Sequence, residues 1–196
     1  MAKKIIKLFV PLFFILVIIS CGDSYNPKPR GFFRIDLPEK EYRLFDSIFP
    51  YTFEYPVYAK IQPDLSPASE PYWADIFYPQ FNASIHLSYK EVKTPNDLHL
   101  YFEDSRTFAN KQIPKATAIR ESSVVDDTRE VYGLTYEIKG TGAASTYQFY
   151  LTDSTHHFLR GALYFNFHPN NDSLAPVIDF LTEDIEHFIY TLEWKN

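Results

Sequence analysis

Cysteine is almost absent, with one residue, Cys21, in a chain of 196. A lone thiol cannot close an internal disulfide, and it excludes a zinc site built from several cysteines. Glycine is scarce, with 6 residues, and neither Gly-x-Ser-x-Gly nor HExxH occurs, so two common hydrolase signatures are missing. Basic charge is short as well: 19 Lys and Arg stand against 25 Asp and Glu, a formal charge of −6. A general nucleic-acid binder would carry a basic face, so no nucleic-acid partner is expected. The long apolar run, Leu8 to Ile19, has 12 residues, short of the 18 or more that a spanning helix needs. What the chain has in excess is aromatic side chains, 18 Phe, 15 Tyr and 2 Trp, within a composition that is 45% hydrophobic. Such a chain can build a core and suits one domain of ordinary size.

The N-terminus sets the compartment. Lys3, Lys4 and Lys7 precede the apolar run, which stops at Ile18-Ile19-Ser20-Cys21. Basic region, short apolar core and small residue before cysteine make the pattern of a bacterial lipobox, in which the cysteine is acylated and becomes the new N-terminus. On this reading residues 1–20 are a removed signal peptide and Cys21 carries the lipid, palmitate among its acyl chains. The chain is left without a thiol for redox chemistry. Cleavage takes away three Lys and no acid, which moves the charge from −6 to −9. Bacterial lipoproteins carry two or three acyl chains, and more than one gives stable anchoring in a bilayer. Residues 21–30 are polar with two prolines and read as a tether spanning roughly 15–20 Å. Residues 31–196 are expected to form a single globular domain.

Within that domain most of the 14 prolines lie before residue 96, so the front half should hold short strands and Pro-punctuated loops. Gln62 to Pro71 is the clearest exposed loop. Phe81, Ala83, Ile85, Leu87 and Tyr89 alternate with polar residues and predict a strand with one packed face. Tyr132 to Lys139, Ser145 to Thr152 and Phe158 to Phe167 predict three more, the last two joined by a turn at Asp153-Ser154-Thr155. Thr94-Pro95-Asn96-Asp97 is a helix start, followed by a stripe of Leu98, Tyr101, Phe102, Ser105, Phe108 and Ala109. A second helix, capped by Asp172 or Ser173, carries Leu174, Val177, Ile178, Leu181, Ile185, Phe188, Ile189 and Leu192 on one face. Asp179, Glu183, Asp184 and Glu186 are expected opposite, in solvent. This order predicts an α+β fold, an antiparallel sheet covered by two main helices, of the Mog1/PsbP-like α/β/α kind.

Catalytic chemistry is hard to find. His156-His157 is the most suggestive pair, but neighbours on a strand point to opposite faces and cannot easily share one ion. His86 sits on the polar side of its strand. Asp126-Asp127 reads as a hairpin loop without the spaced oxygen donors of a calcium site. Gly140-Thr141-Gly142 precedes a strand, whereas a phosphate cradle needs a helix there. No cofactor, no metal and no enzymatic activity are expected.

Several segments, in order and spacing, resemble the gliding motility lipoprotein GldD family. They are the lipobox, Pro27 to Tyr42, Pro50 to Pro56, Ile85 to Lys90, Ala143 to Ser145, Gln148 to Ser154 and Thr191 to Lys195. The resemblance covers nearly the whole chain and implies a membrane-anchored component needed for gliding, a process coupled to type IX secretion. It implies no catalytic residues. The expected role is to stabilise or position protein partners in that machinery. The expected place is the periplasm-facing outer membrane, with the inner membrane as the other option. A second reading is a periplasmic binding module whose aromatic-lined pocket takes a lipid, glycan or peptide; a third is a cell-wall hydrolase. The candidate partner or ligand surface comprises Tyr55, Trp73, Gly140, Gly142, Ser145, Gln148, Tyr150 and Asp153.

Overall fold

A computed structural model describes residues 35–167 and 171–195; the signal peptide, Cys21 and the tether lie outside the described residues. The fold is mixed α+β, with antiparallel sheets and two main helices. Seven strands make the larger sheet: β3 (Lys60–Pro63), β4 (Ala74–Tyr78), β5 (Ala83–Glu91), β6 (Ala118–Asp126), β7 (Val131–Lys139), β8 (Ser145–Thr152) and β9 (His157–Phe165). Their spatial order is β3-β4-β5-β9-β8-β7-β6. A second sheet of three strands, absent from the sequence expectation, joins β1 (Tyr42–Phe45) and the terminal β10 (Glu193–Trp194) to the two sides of β2 (Tyr51–Pro56). Gln62 and Pro63, expected in a loop, belong to edge strand β3 and pair with Asp75 and Ala74. Proline is tolerated there because an edge strand has spare positions on the ladder.

Helix α1 (Pro95–Asn110) covers one face of the large sheet, and α2 (Asn171–Thr191) covers the other together with β2. The predicted face of β5 is the packed one: Ala83, Ile85, Leu87 and Tyr89 join Leu181, Ile185, Phe188 and Leu192 of α2 in the main core. Tyr136, Ile138, Tyr150 and Phe158 point the other way, toward Ala109 of α1. Strand β8 lies where both helices overlap the sheet, so all eight of its residues are buried. The half-buried strand expected from its sequence does not apply to it.

Helix α1 starts as a capping box. Thr94 Oγ1 accepts from the Asp97 amide, and Asp97 Oδ2 accepts from the Thr94 amide at 2.8 Å. These satisfy amides that the helix itself leaves bare. Phe108 departs from the expected apolar stripe. It is exposed, and the Lys111 ammonium and the Arg160 guanidinium stand over its ring. Asp172 and Ser173 fall inside the first turn of α2 rather than at its cap. The helix is seated on the turn before β8: Asn171 Nδ2 donates to the carbonyls of Gly140 (2.6 Å) and Ala143 (3.0 Å), and Asp172 accepts from Thr141 Oγ1.

Asp184 is the main correction on α2. The sequence places it on the solvated acidic face with Asp179, Glu183 and Glu186, yet it is 2% exposed. Its Oδ1 accepts from Lys40 Nζ at 2.7 Å and from Tyr42 Oη at 2.9 Å, and its Oδ2 from Tyr58 Oη at 2.8 Å. A buried carboxylate survives only with such partners. Lys40 also donates to the Phe180 carbonyl and lies 3.4 Å above the Phe180 ring. Desolvation and the adjoining carboxylate hold both the Tyr42 and Tyr58 phenols well above their usual range. The segment before β1 is thus clasped onto α2.

Candidate functional site

The eight residues singled out from the sequence do not converge. Tyr55 is half-buried on β2, with its ring edge-on to Phe53 and under Arg43. Trp73 donates from Nε1 to the Tyr89 carbonyl at 2.8 Å, and Lys90 stands over its ring. Gly140 adopts φ 146°, and a Cβ there would meet the Lys115 carbonyl oxygen at 2.3 Å; Gly142 follows it in the same turn. Ser145 and Gln148 are buried, the hydroxyl donating to the Tyr147 carbonyl and Oε1 accepting from Arg160 at 2.8 Å. Tyr150 is buried against Phe158 and Phe102. Asp153 closes the β8–β9 turn: its Oδ1 accepts the amides of Thr155, His156 and His157 at 2.8–2.9 Å. Burial pushes that carboxyl's pKa up, but the three amides outweigh it and leave the group below its usual range. Most of these side chains therefore face the interior or shape turns.

Two surfaces carry the exposed aromatic chemistry. The first is a cleft of ≈ 520 Å³ lined by Pro50, Tyr72, Tyr89, Glu91, His157 and Lys195. Tyr89 Oη and His157 Nδ1 are hydrogen-bonded at 2.8 Å. Trp194 stacks on the His157 ring with centroids 5.1 Å apart and planes 8° apart. Burial lowers the His157 pKa and pushes Tyr89 up to about 12. Both groups are therefore neutral at neutral pH. The hydroxyl beside the imidazole is a phenol made less acidic by burial, which makes it a poorer nucleophile for the imidazole to activate. His156, its neighbour in sequence, is exposed and 3.7 Å from Asp153. Among the described residues no group of three or more His, Cys, Asp or Glu could hold a metal ion.

The second surface is an open furrow of ≈ 500 Å³ at the C-terminal end of α2. Leu44 and Tyr190, 61% and 72% exposed, stand on its rim with Arg129 between the elements. Arg129 comes from the β6–β7 turn. Its Nη1 donates to the carbonyls of Ile189 (3.1 Å) and Leu192 (2.7 Å), and its Nε to Asp126 Oδ2 at 2.9 Å. A guanidinium at the last carbonyls of a helix meets the negative end of its dipole. The same group lies 5.6 Å from the Tyr190 ring, so the exposed tyrosine is held over a fixed cation. Neither Arg129 nor Leu44 announces itself in the sequence. Tyr190 does in part, because it falls off the apolar stripe of α2 yet is aromatic.

Among the described residues no helix is long and apolar enough to cross a membrane. The model of the family described as gliding motility lipoprotein GldD matches residues 22–194. No curated protein matches the sequence. Among solved structures, the solution structure of cyanobacterial PsbP (CyanoP) from Synechocystis sp. PCC 6803 is similar, with a TM-score of 0.49 and 13% identity, over 89% of this chain and 97% of that one.

Proposed function

The chain belongs to the gliding motility lipoprotein GldD family, and from that premise we propose that it is a non-catalytic, membrane-anchored protein that positions other components of the gliding and type IX secretion machinery. Family membership carries the coarser part: a lipoprotein of the cell envelope with a role in gliding motility. The positioning role is supported best by one observation, the furrow at the end of α2. Leu44 and Tyr190 are large apolar side chains left in solvent, and tyrosine beside a fixed arginine is the composition enriched at protein interfaces. Cys21 fixes the body to the periplasm-facing leaflet of the outer membrane, and the furrow docks a protein partner. The Lys40–Asp184 clasp makes the start of the described body part of its framework.

The test is a lipidated chain carrying Leu44→Glu and Tyr190→Glu. It should accumulate to the wild-type level and fail to support gliding; normal gliding by this variant defeats the reading. Cys21→Ala should give a folded but mislocalised protein that is likewise inactive, and wild-type motility from it would remove the anchoring argument. A second reading, a binding module for a lipid, glycan or peptide, rests on the Tyr72–Tyr89–His157 cleft. Loss of motility from Tyr72→Ala alone, with the furrow intact, would favour it.

A further inference from the structure

Strand β6 is an edge of unusual length for a sheet that meets water. Its nine residues, Ala118–Asp126, pair with β7 in unbroken register from Ala118↔Lys139 to Asp126↔Val131. Among the described residues it has a strand neighbour on one side only. It contains no proline, glycine or bulge, and most of its side chains are exposed. Such an edge offers a row of backbone donors and acceptors to another strand; proline and bulges, two common ways of blunting it, are missing, and its protection is left to Arg120, Glu121 and Asp126.

We propose that β6 pairs with β6 of a second copy of this chain, antiparallel and two-fold, centred on Ser122. The sequence of the strand selects both the occupant and the register. Two-fold antiparallel pairing places the axis on a residue, since facing residues must lie on one side of the sheet. An axis at Arg120 or Glu121 would set like charges directly opposite, which destabilises a ladder. An axis at Ser122 uses all nine residues and sets Ser122 against itself. Ile119 then faces Val125 of the second copy, twice over. Val125 is 69% exposed in the single chain, and this pairing gives it an apolar cross-strand neighbour. Arg120, itself exposed, lies diagonal to Asp126 of the second copy; the two Glu121 side chains are diagonal to each other, but no two like charges are directly opposite. Moving the axis to Ser123 shortens the ladder and sets Val125 against Glu121. Nine paired residues bury little area, so the association is weak in dilute solution. Two copies confined to one membrane meet at a far higher effective concentration. The furrow's rim residues Leu44 and Tyr190 take no part in the pairing, and Asp126, which lies at the end of the ladder, keeps its bond to Arg129.

The experiment is disulfide trapping of the full-length chain in intact cell envelopes, with diamide as oxidant. The wild-type chain, whose single cysteine is Cys21, is the control. Residues directly opposite in a ladder are about 4.5–5.5 Å apart at Cα, within disulfide reach. Ser122→Cys should therefore convert mostly to a covalent homodimer. Arg120→Cys should not, because its two copies lie about 13 Å apart along the strands. Arg120→Cys and Val124→Cys chains expressed together should cross-link to each other. No homodimer from a Ser122→Cys chain present at wild-type abundance overturns the proposal. Equal trapping at positions 120 and 122 overturns it too, as does a Ser122→Cys adduct with a different protein in place of the dimer.

Discussion

Lys40 and Asp184 stand 144 positions apart in sequence and 2.7 Å apart in space. The carboxylate is buried, and the ammonium that neutralises it comes from the segment just before β1. Removing one member of a buried pair leaves the other charge uncompensated, at a cost of about 3–5 kcal/mol. Asp184→Ala should lower the unfolding free energy by that order, seen as a shift of the urea midpoint with little change in slope. Lys40→Met combined with Asp184→Leu should recover part of the loss, since Lys40→Met removes the ammonium that the loss of Asp184 strands. A midpoint unmoved by Asp184→Ala would show the clasp to be decorative.

Gly161 faces Phe149 across the β8–β9 ladder. A Cβ on Gly161 would come within 2.1 Å of the Phe149 ring, which is itself 1% exposed. The ring has no room to withdraw, so Gly161→Ala should destabilise by about 1–3 kcal/mol through overpacking. Gly161→Ala with Phe149→Leu should restore much of it. Thermal melts of the two variants side by side decide the matter.

His86 and Asp75 are directly opposed on β5 and β4, with Nδ1 and Oδ1 2.6 Å apart. The hydrogen bond to Asp75 raises the His86 pKa above its ordinary value of 6.5, against the opposing effect of burial. A histidine raised on folding binds its proton more tightly in the native state. Its contribution is full below about pH 6.5 and is lost as pH rises through the higher native value. The stability advantage of the wild type over His86→Gln should therefore be larger at pH 5.5 than at pH 8. An advantage that is flat, or grows with pH, contradicts the pairing.

Local chemistry made much of the fold legible. Thr94-Pro95-Asn96-Asp97 carries its whole capping argument within four residues, and the alternation in β5 states which face is packed. Tertiary partners did not show in the same way. Asp184 looks solvated on a helical wheel because its neighbours Glu183 and Glu186 are. It nevertheless lies three residues after Leu181 and four before Phe188, on the buried stripe, and only the distant Lys40 makes that position habitable. Strands β1 and β10 are four and two residues long and gain meaning only from β2 between them. Ser145, Gln148 and Tyr150 sit in segments that carry the family resemblance, and nothing in the alternation of β8 tells that both of its faces are covered. Helices on both sides bury it. The exposed chemistry lies instead in the Tyr72 cleft and at the end of α2, where Tyr190 leaves the apolar stripe.

A protein partner docked at the furrow beside Arg129 is within reach of a photoreactive side chain there, and site-specific photocrosslinking in living cells detects it. A photoreactive residue in place of Tyr190 should give one discrete adduct with another envelope protein, and Leu44→Glu should abolish it. The same probe in place of Leu100, which is 52% exposed on α1, should give none. No discrete adduct at Tyr190, or equal adducts at both positions, would show that no partner docks at the furrow.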